Sequence, residues 1–249
     1  MDQKEQTEHR DFLRAQQLLA AAQRLGYTFA DLSLLDAALT HTSYVKGDGY
    51  AREHNERLEF LGDAVLELCV SEYIYRNYPK LNEGVMTRAR AATVCESALY
   101  RAALDIRIGE GLRLSHGEEH SGGREKPSIL ADAVEAAIGA VFLDGGMEAA
   151  RALVLRLTKE QIISAVSNVD AKDYKTMLQE YVQKRHKGNV SYELLDTKGP
   201  DHNKTFVLRA IVAGQPMGAG QGSSKQDAGQ AAAKETLAML GVPHGEETH

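Results

Sequence analysis

The chain has 249 residues, 43% of them hydrophobic, and carries 29 Lys and Arg against 35 Asp and Glu, for a formal net charge of −6. That length suits one good core and a smaller second one, since domains cluster at about 100 to 150 residues. Cys69 and Cys95 are its two cysteines, too few for a disulfide scaffold and too far apart for a CxxC pair, so a reducing compartment fits.

Both cysteines lie in helical, apolar surroundings and read as core residues. No apolar run reaches the roughly 18 to 20 residues of a membrane span. Met1 to Arg10 is polar, without the basic-then-apolar pattern of a signal. The expectation is a cytoplasmic protein without a membrane partner. A net charge of −6 alone argues against nucleic acid, but the charge is uneven. Residues 12–146 hold 14 basic and 19 acidic side chains, net −5, whereas residues 172–241 hold 10 and 7, net +3. The split suggests an acidic catalytic unit joined to a basic anchoring unit.

In chain order, residues 1–11 read as an N-terminal tail. From Phe12 to about Ser164 apolar residues recur at three- and four-residue spacing and β-branched alternation is scarce, which predicts an all-α unit over residues 12–166. Turns or helix stops are expected at Lys46–Gly49, Tyr78–Gly84, Gly117–Pro127 and Asp144–Gly146. Residues 167–172 read as a short polar linker, which predicts a mobile anchor beyond it. Residues 173–241 change character: a helix at Tyr174–Lys184, a strand at Ser191–Thr197, a loop at Gly199–Lys204, strands at Thr205–Val212 and Gln215–Gln221, and an Ala-rich helix at Lys225–Leu240. This α-β-β-β-α order makes a complete small α+β domain. Residues 242–249 read as a C-terminal tail.

Carboxylates stand out within the helical unit. At about 100° per residue, Glu56, Glu59 and Asp63 fall within roughly 60° of one another, and Asp132 and Glu135 share a face of a second helix. On an arbitrary helix such a stripe is a solvated surface. Here Phe60, Leu61, Val65, Leu66, Leu68, Cys69 and Val70 nearly encircle the first helix, and Leu130, Val134, Ile138, Val141 and Phe142 do the same for the second. Both helices are therefore expected to be largely buried. Buried acids need compensation, and Mg²⁺ is the oxygen-seeking cation that supplies it. Phosphoryl transfer is the chemistry that uses such clusters. His41, His116 and His120 do not form an HExxH motif and read as polar-contact residues. Gly218, Gly220 and Gly222 lack the GxxxxGK[ST] spacing, so nucleotide hydrolysis is not expected.

The segment Asn55-Glu56-Arg57-Leu58-Glu59-Phe60-Leu61-Gly62-Asp63-Ala64-Val65-Leu66 resembles the signature of the ribonuclease III family. Supporting matches are Ala38–His41, Glu83-Gly84 with Thr87-Arg88, Gly122–Arg124, and Pro127–Asp132 through Glu135 to Leu143–Gly146. The resemblance covers residues 12–241. It implies that Glu59, Asp132 and Glu135 are metal ligands, that Asp63 is a further catalytic carboxylate alongside Glu135, and that Glu56 edges the cleft. It also implies Mg²⁺-dependent hydrolysis of double-stranded RNA, with Mn²⁺ as a substitute, to 5′-phosphate and 3′-hydroxyl ends with two-nucleotide 3′ overhangs. The implied partners are ribosomal RNA precursors, structured messenger RNA and a second copy of the chain in a homodimer. Phe60 reads either as the dimer contact or as ordinary core.

The α-β-β-β-α unit resembles the double-stranded-RNA-binding domain. The resemblance implies RNA contacts from Thr176, Gln179 and Glu180 on the first helix, from His202 and Lys204 in the loop, and from Ser224 and Lys225 at the start of the last helix. Helix and loop residues would meet 2′-hydroxyls in two minor grooves, and the helix N-terminus would meet phosphates across the major groove. One departure matters: where the family has a basic run, this chain reads Lys225-Gln226-Asp227, which predicts weaker binding and a shallower salt dependence. The rival reading is a non-cleaving double-stranded-RNA-binding regulator whose acidic cluster is structural. A lesser one is a metal nuclease for DNA.

Overall fold

The computed structural model describes residues 3–48, 53–170, 173–186, 188–199 and 204–242. The chain divides into two compact units between Val166 and Ser167. The first is helical: α1 Gln3–Leu25, α2 Leu32–Ala38, α3 Thr42–Asp48, α4 Glu56–Asn77, α5 Glu83–Val94, α6 Glu96–Asp105, α7 His116–His120 and all but the last four residues of α8 Pro127–Asp170.

The first part of α8 is the axis of this core. Leu130, Val134, Ile138 and Val141 are buried together with Ala133, Ala136, Ala137 and Ala140 on its remaining faces. A helix apolar all round has to sit inside, and its alanines let neighbouring helices approach. Each large side chain so buried is worth about 1.5–3 kcal/mol before entropy is charged against it. The expected stop at Asp144–Gly146 is present, with Gly146 leaving helical geometry at φ 75°. Asp144 then ties the break to the start of the unit, accepting from Tyr27 Oη at 2.8 Å and from the amides of Ala30 and Asp31 at 2.9 and 2.8 Å. A partly buried charge group pins α1: Arg14 Nε donates to Asp36 Oδ1 at 2.6 Å, and Arg113 Nη1 to Asp36 Oδ2 at 2.8 Å.

Several boundaries differ from expectation. α1 starts at Gln3, inside the segment read as a tail, because Gln, Lys, Glu and Arg favour helix and neither Gly nor Pro interrupts them. Residues 46–48 belong to α3, and the Gly117–Pro127 stretch contains α7 and a 3₁₀ turn at Gly123–Glu125. α8 runs to Asp170, through most of the segment read as a linker; residues 171–172 lie outside the described residues. Cys95 is exposed where α5 meets α6, not in the core, whereas Cys69 is buried. The expectation of two buried helices holds for the first half of α8 but for only one side of α4. Leu58, Val65, Leu66, Cys69 and Val70 of α4 face the core, while Phe60 and Leu68 are 81% and 54% exposed.

The second unit comprises α9 Tyr174–His186, β1 Val190–Lys198, β2 Thr205–Val212, β3 Gln215–Gly222 and α10 Lys225–Met239, with an antiparallel sheet in the order β1-β2-β3. Its core is Leu178, Val182, Ala210, Val212, Ala232, Ala233 and Leu237. The glycines of β3 explain how closely α10 packs. A Cβ on Gly218 would lie 2.6 Å from the Thr236 amide nitrogen, and one on Gly220 would lie 2.2 Å from that of Ala232. These residues are packing surface for a helix backbone, not a phosphate loop.

Candidate active site

α4 and α8 cross where each presents a glycine. A Cβ on Gly139 would lie 2.3 Å from the Leu58 carbonyl oxygen and 3.2 Å from the Gly62 nitrogen, so only hydrogen fits between the two backbones. Along this crossing stand Glu59, next to Leu58 on α4, and Glu135 and Asp132, about one and two turns before Gly139 on α8. Their carboxylate oxygens lie within 4.8 Å of one another. Asp63 is exposed, yet close enough that its charge acts on both Glu135 and Glu59. Glu56 is also exposed, lies 3.8 Å from His54 Nδ1 and acts electrostatically on Glu59.

The three carboxylates are half-buried and crowd one another. Burial, then the charges of Asp63, Glu59 and Asp132, push the Glu135 carboxyl up to about 8. Burial first and neighbouring acids second raise Glu59; burial also raises Asp132, where His41 opposes and Glu96 adds. Among the described residues no ion pair reaches Glu59, Asp132 or Glu135. A hard divalent cation fits this donor set. Six oxygens at about 2.1 Å from Mg²⁺ put opposite ligand atoms roughly 4.2 Å apart, so small side-chain adjustments bring the three carboxylates to one ion. The ion would also reverse the cost of gathering the acids.

Sequence reasoning missed a scaffold beside the acids. His41 Nδ1 lies 2.8 Å from Ser43 Oγ, which accepts from the Ser115 amide at 3.1 Å, while the His41 amide donates to the Arg113 carbonyl at 3.0 Å. The Asn55 amide donates to the Thr40 carbonyl at 2.9 Å, fixing the entry to α4. Lys126, just before α8, pairs with Glu118 at 2.6 Å, and Arg124 grips Glu119 through two bonds of 2.7 and 2.6 Å. The Ala38–His41 and Gly122–Arg124 matches flagged these segments without revealing their link.

Phe60 projects from α4 next in sequence to Leu61, which with Leu34, Ala37, Leu58 and Leu143 and the polar Glu53, His54 and Arg57 lines a cavity of about 660 Å³. Its exposure removes the reading of Phe60 as ordinary core.

In the second unit Thr176, Gln179 and Glu180 follow one face of α9; Glu180 pairs with Lys184 at 3.6 Å. Lys204 precedes β2 and Ser224 caps α10. Phe206 pairs with Gly222, so Lys204 and Ser224-Lys225 flank the same end of the sheet. α9 is tied to α10 by Gln230, which accepts from the Lys175 amide at 3.0 Å and donates to Asp173 Oδ1 at 3.1 Å. His202 lies outside the described residues.

Comparison with known proteins agrees with this geometry. Residues 31–162 match the family model described as Ribonuclease-III-like, and residues 174–240 match the double-stranded RNA binding motif. The chain is 49% identical over 220 residues to Ribonuclease 3 of Caldanaerobacter subterraneus, covering 88% of this chain and 96% of that protein. It is 44% identical over 241 residues to Ribonuclease 3 of Bacillus cereus, covering 96% of each. Among solved structures, a nuclease domain of ribonuclease III from Campylobacter jejuni, which has a region involved in dimer formation, superposes with a TM-score of 0.53. It is 44% identical and the match covers 57% of this chain and 96% of that one.

Proposed function

Since the chain belongs to the ribonuclease III family and is thereby an endonuclease of double-stranded RNA, we propose that it cuts duplex RNA with Mg²⁺, or Mn²⁺ in its place. The products would be 5′-phosphate and 3′-hydroxyl ends with two-nucleotide 3′ overhangs. The carrying observation is the meeting of three carboxylates, within 4.8 Å of one another, at a helix crossing that only glycine permits.

Glu59, Asp132 and Glu135 would hold the cation. When bound, it supplies Lewis acidity at the scissile phosphate and neutralises charge developing there. Asp63, one helical turn beyond Glu59, accepts a hydrogen bond from the attacking water and orients it. The water oxygen bonds to phosphorus and gives up a proton to solvent, the bond from phosphorus to the 3′ oxygen breaks, and that oxygen takes a proton back from solvent, so one water is consumed for each bond cut. Glu56 edges the cleft.

A homodimer supplies a second site for the opposite strand. Its support is Phe60, an exposed aromatic next in sequence to Leu61, which helps line a cavity walled by both apolar and polar side chains; under two-fold symmetry each protomer's Phe60 would fill the other's cavity. The second domain anchors the duplex through Thr176, Gln179, Glu180, His202, Lys204, Ser224 and Lys225. Ribosomal RNA precursors and structured messenger RNA in the cytoplasm are the proposed substrates. Among the described residues no helix is long and apolar enough to cross a membrane.

Substituting Glu135→Ala tests the assignment. Cleavage should disappear while duplex binding in EDTA persists. Undiminished cleavage would remove Glu135 from the mechanism.

A further inference from the structure

The first turn of α10 carries its own anion. Ser224 is the N-cap and Lys225, Gln226 and Asp227 follow. Ser224 Oγ accepts from the Asp227 amide at 3.1 Å and donates to Asp227 Oδ2 at 2.8 Å, and Ser223 Oγ donates to that same oxygen at 3.0 Å. One carboxylate oxygen therefore engages both hydroxyls. The turn is fixed against the sheet, since a Cβ on Gly222 would lie 2.5 Å from Asp227 Cβ. The carboxylate remains exposed, and the bonds from Ser224 and Ser223 hold its pKa below the ordinary aspartate value, so it is charged at neutral pH.

A helix N-terminus presents free amides and roughly half a positive charge, which together attract a phosphate. Here that end already faces a carboxylate. The seryl hydroxyls that could donate to phosphate oxygens donate to Asp227, and its charge offsets that of Lys225 two residues earlier. An incoming phosphate would meet a like charge and spent donors.

We infer that Asp227 is an affinity-setting residue for duplex RNA, an intramolecular counter-anion at the phosphate-facing end of α10 that weakens the second domain's hold on the backbone. The inference rests on the proposed double-stranded-RNA reading and deepens it. A weak anchor favours release of cut products, a step that sets turnover in many enzymes.

The test uses the full chain in EDTA, so that RNA stays intact, with fluorescence anisotropy of a labelled RNA duplex of about 30 base pairs, long enough for the roughly 16 that one domain spans. Asp227→Asn keeps an oxygen for both hydroxyls but removes the charge, and should bind about three-fold tighter. Asp227→Lys should bind about ten-fold tighter, with a salt dependence steeper by about one phosphate contact. Ser223→Ala leaves the charge in place and should not tighten binding. If Asp227→Lys fails to fold, the Asn variant decides. Binding by both Asp227 variants no tighter than the parent's would overturn the inference while leaving the RNA reading intact. No duplex binding by any protein, the parent included, would overturn both.

Discussion

A Cβ placed on Gly62 would lie 1.8 Å from the carbonyl oxygen of Glu135, so the two helices bearing the acids meet backbone to backbone. That contact sets the spacing of the cluster: α8 cannot come closer to α4, and any side chain at residue 62 drives it away. Gly62→Ala should therefore cost about 1–3 kcal/mol from overpacking. It should also lower Mg²⁺-dependent cleavage by at least about 10²-fold, because a displacement near 1 Å is felt that strongly in catalysis. Thermal melting and single-turnover cleavage check the two halves separately.

The Glu135 carboxyl, pushed up to about 8, couples metal binding to protons. Below that pH it is protonated without metal, and binding a cation must expel the proton. Apparent Mg²⁺ affinity should rise by up to about ten-fold per pH unit towards 8 and then level off. Isothermal titration at pH 6, 7 and 8 reads this directly, and a flat profile would contradict it.

The same group makes a prediction about stability without metal. Its folded pKa of about 8 lies above the ordinary value of 4.5, so the folded state binds more protons across that interval. The contribution of Glu135 is fully present below 4.5 and is lost as pH rises through 8. Glu135→Gln should thus leave melting in EDTA nearly unchanged at acid pH and raise the melting temperature relative to the parent at pH 8. Equal melting temperatures at both ends would refute the linkage.

Phe60 is the natural probe of assembly. With 81% of the Phe60 surface exposed in the single chain, Phe60→Ala should weaken self-association by about 2 kcal/mol or more, the range of a buried aromatic anchor. Sedimentation velocity across a dilution series should show the variant dissociating at concentrations where the parent stays paired. An unchanged distribution would move the dimer contact elsewhere.

Lys204→Ala and Lys225→Ala should each weaken duplex binding across sequences and make its salt dependence shallower by about one contact. Each lysine flanks the sheet end defined by the Phe206 and Gly222 pair, one before β2 and one after β3. Binding titrations at three salt concentrations measure the slope. An unaltered slope would take that lysine out of the interface.

Much of this was legible in the sequence where local rules act alone. Thr205–Val212 coincides with β2, and the other strands differ from expectation only at their ends, because alternation and turn residues bound them. The meeting of Glu59, Asp132 and Glu135 was legible because acids recur on one face of each of two apolar helices. What sequence hid depends on through-space contacts. The glycines of β3 lie against α10, and Gly62 lies against Glu135, pairs that no local pattern announces. Apolar residues around α4 predicted burial, but Phe60 and Leu68 face outward, since periodicity cannot tell a core face from an exposed apolar one. The polar start of α1 hid a helix because polarity marks exposure, not the absence of structure.

The most direct test is cleavage of an end-labelled RNA duplex of about 30 base pairs, with Mg²⁺ and with EDTA. The account predicts metal-dependent products with 5′-phosphate ends and a two-nucleotide 3′ stagger, reporting both the carboxylate site and its pairing across two strands. Intact RNA held in a stable complex in both conditions would contradict it and leave the rival regulator.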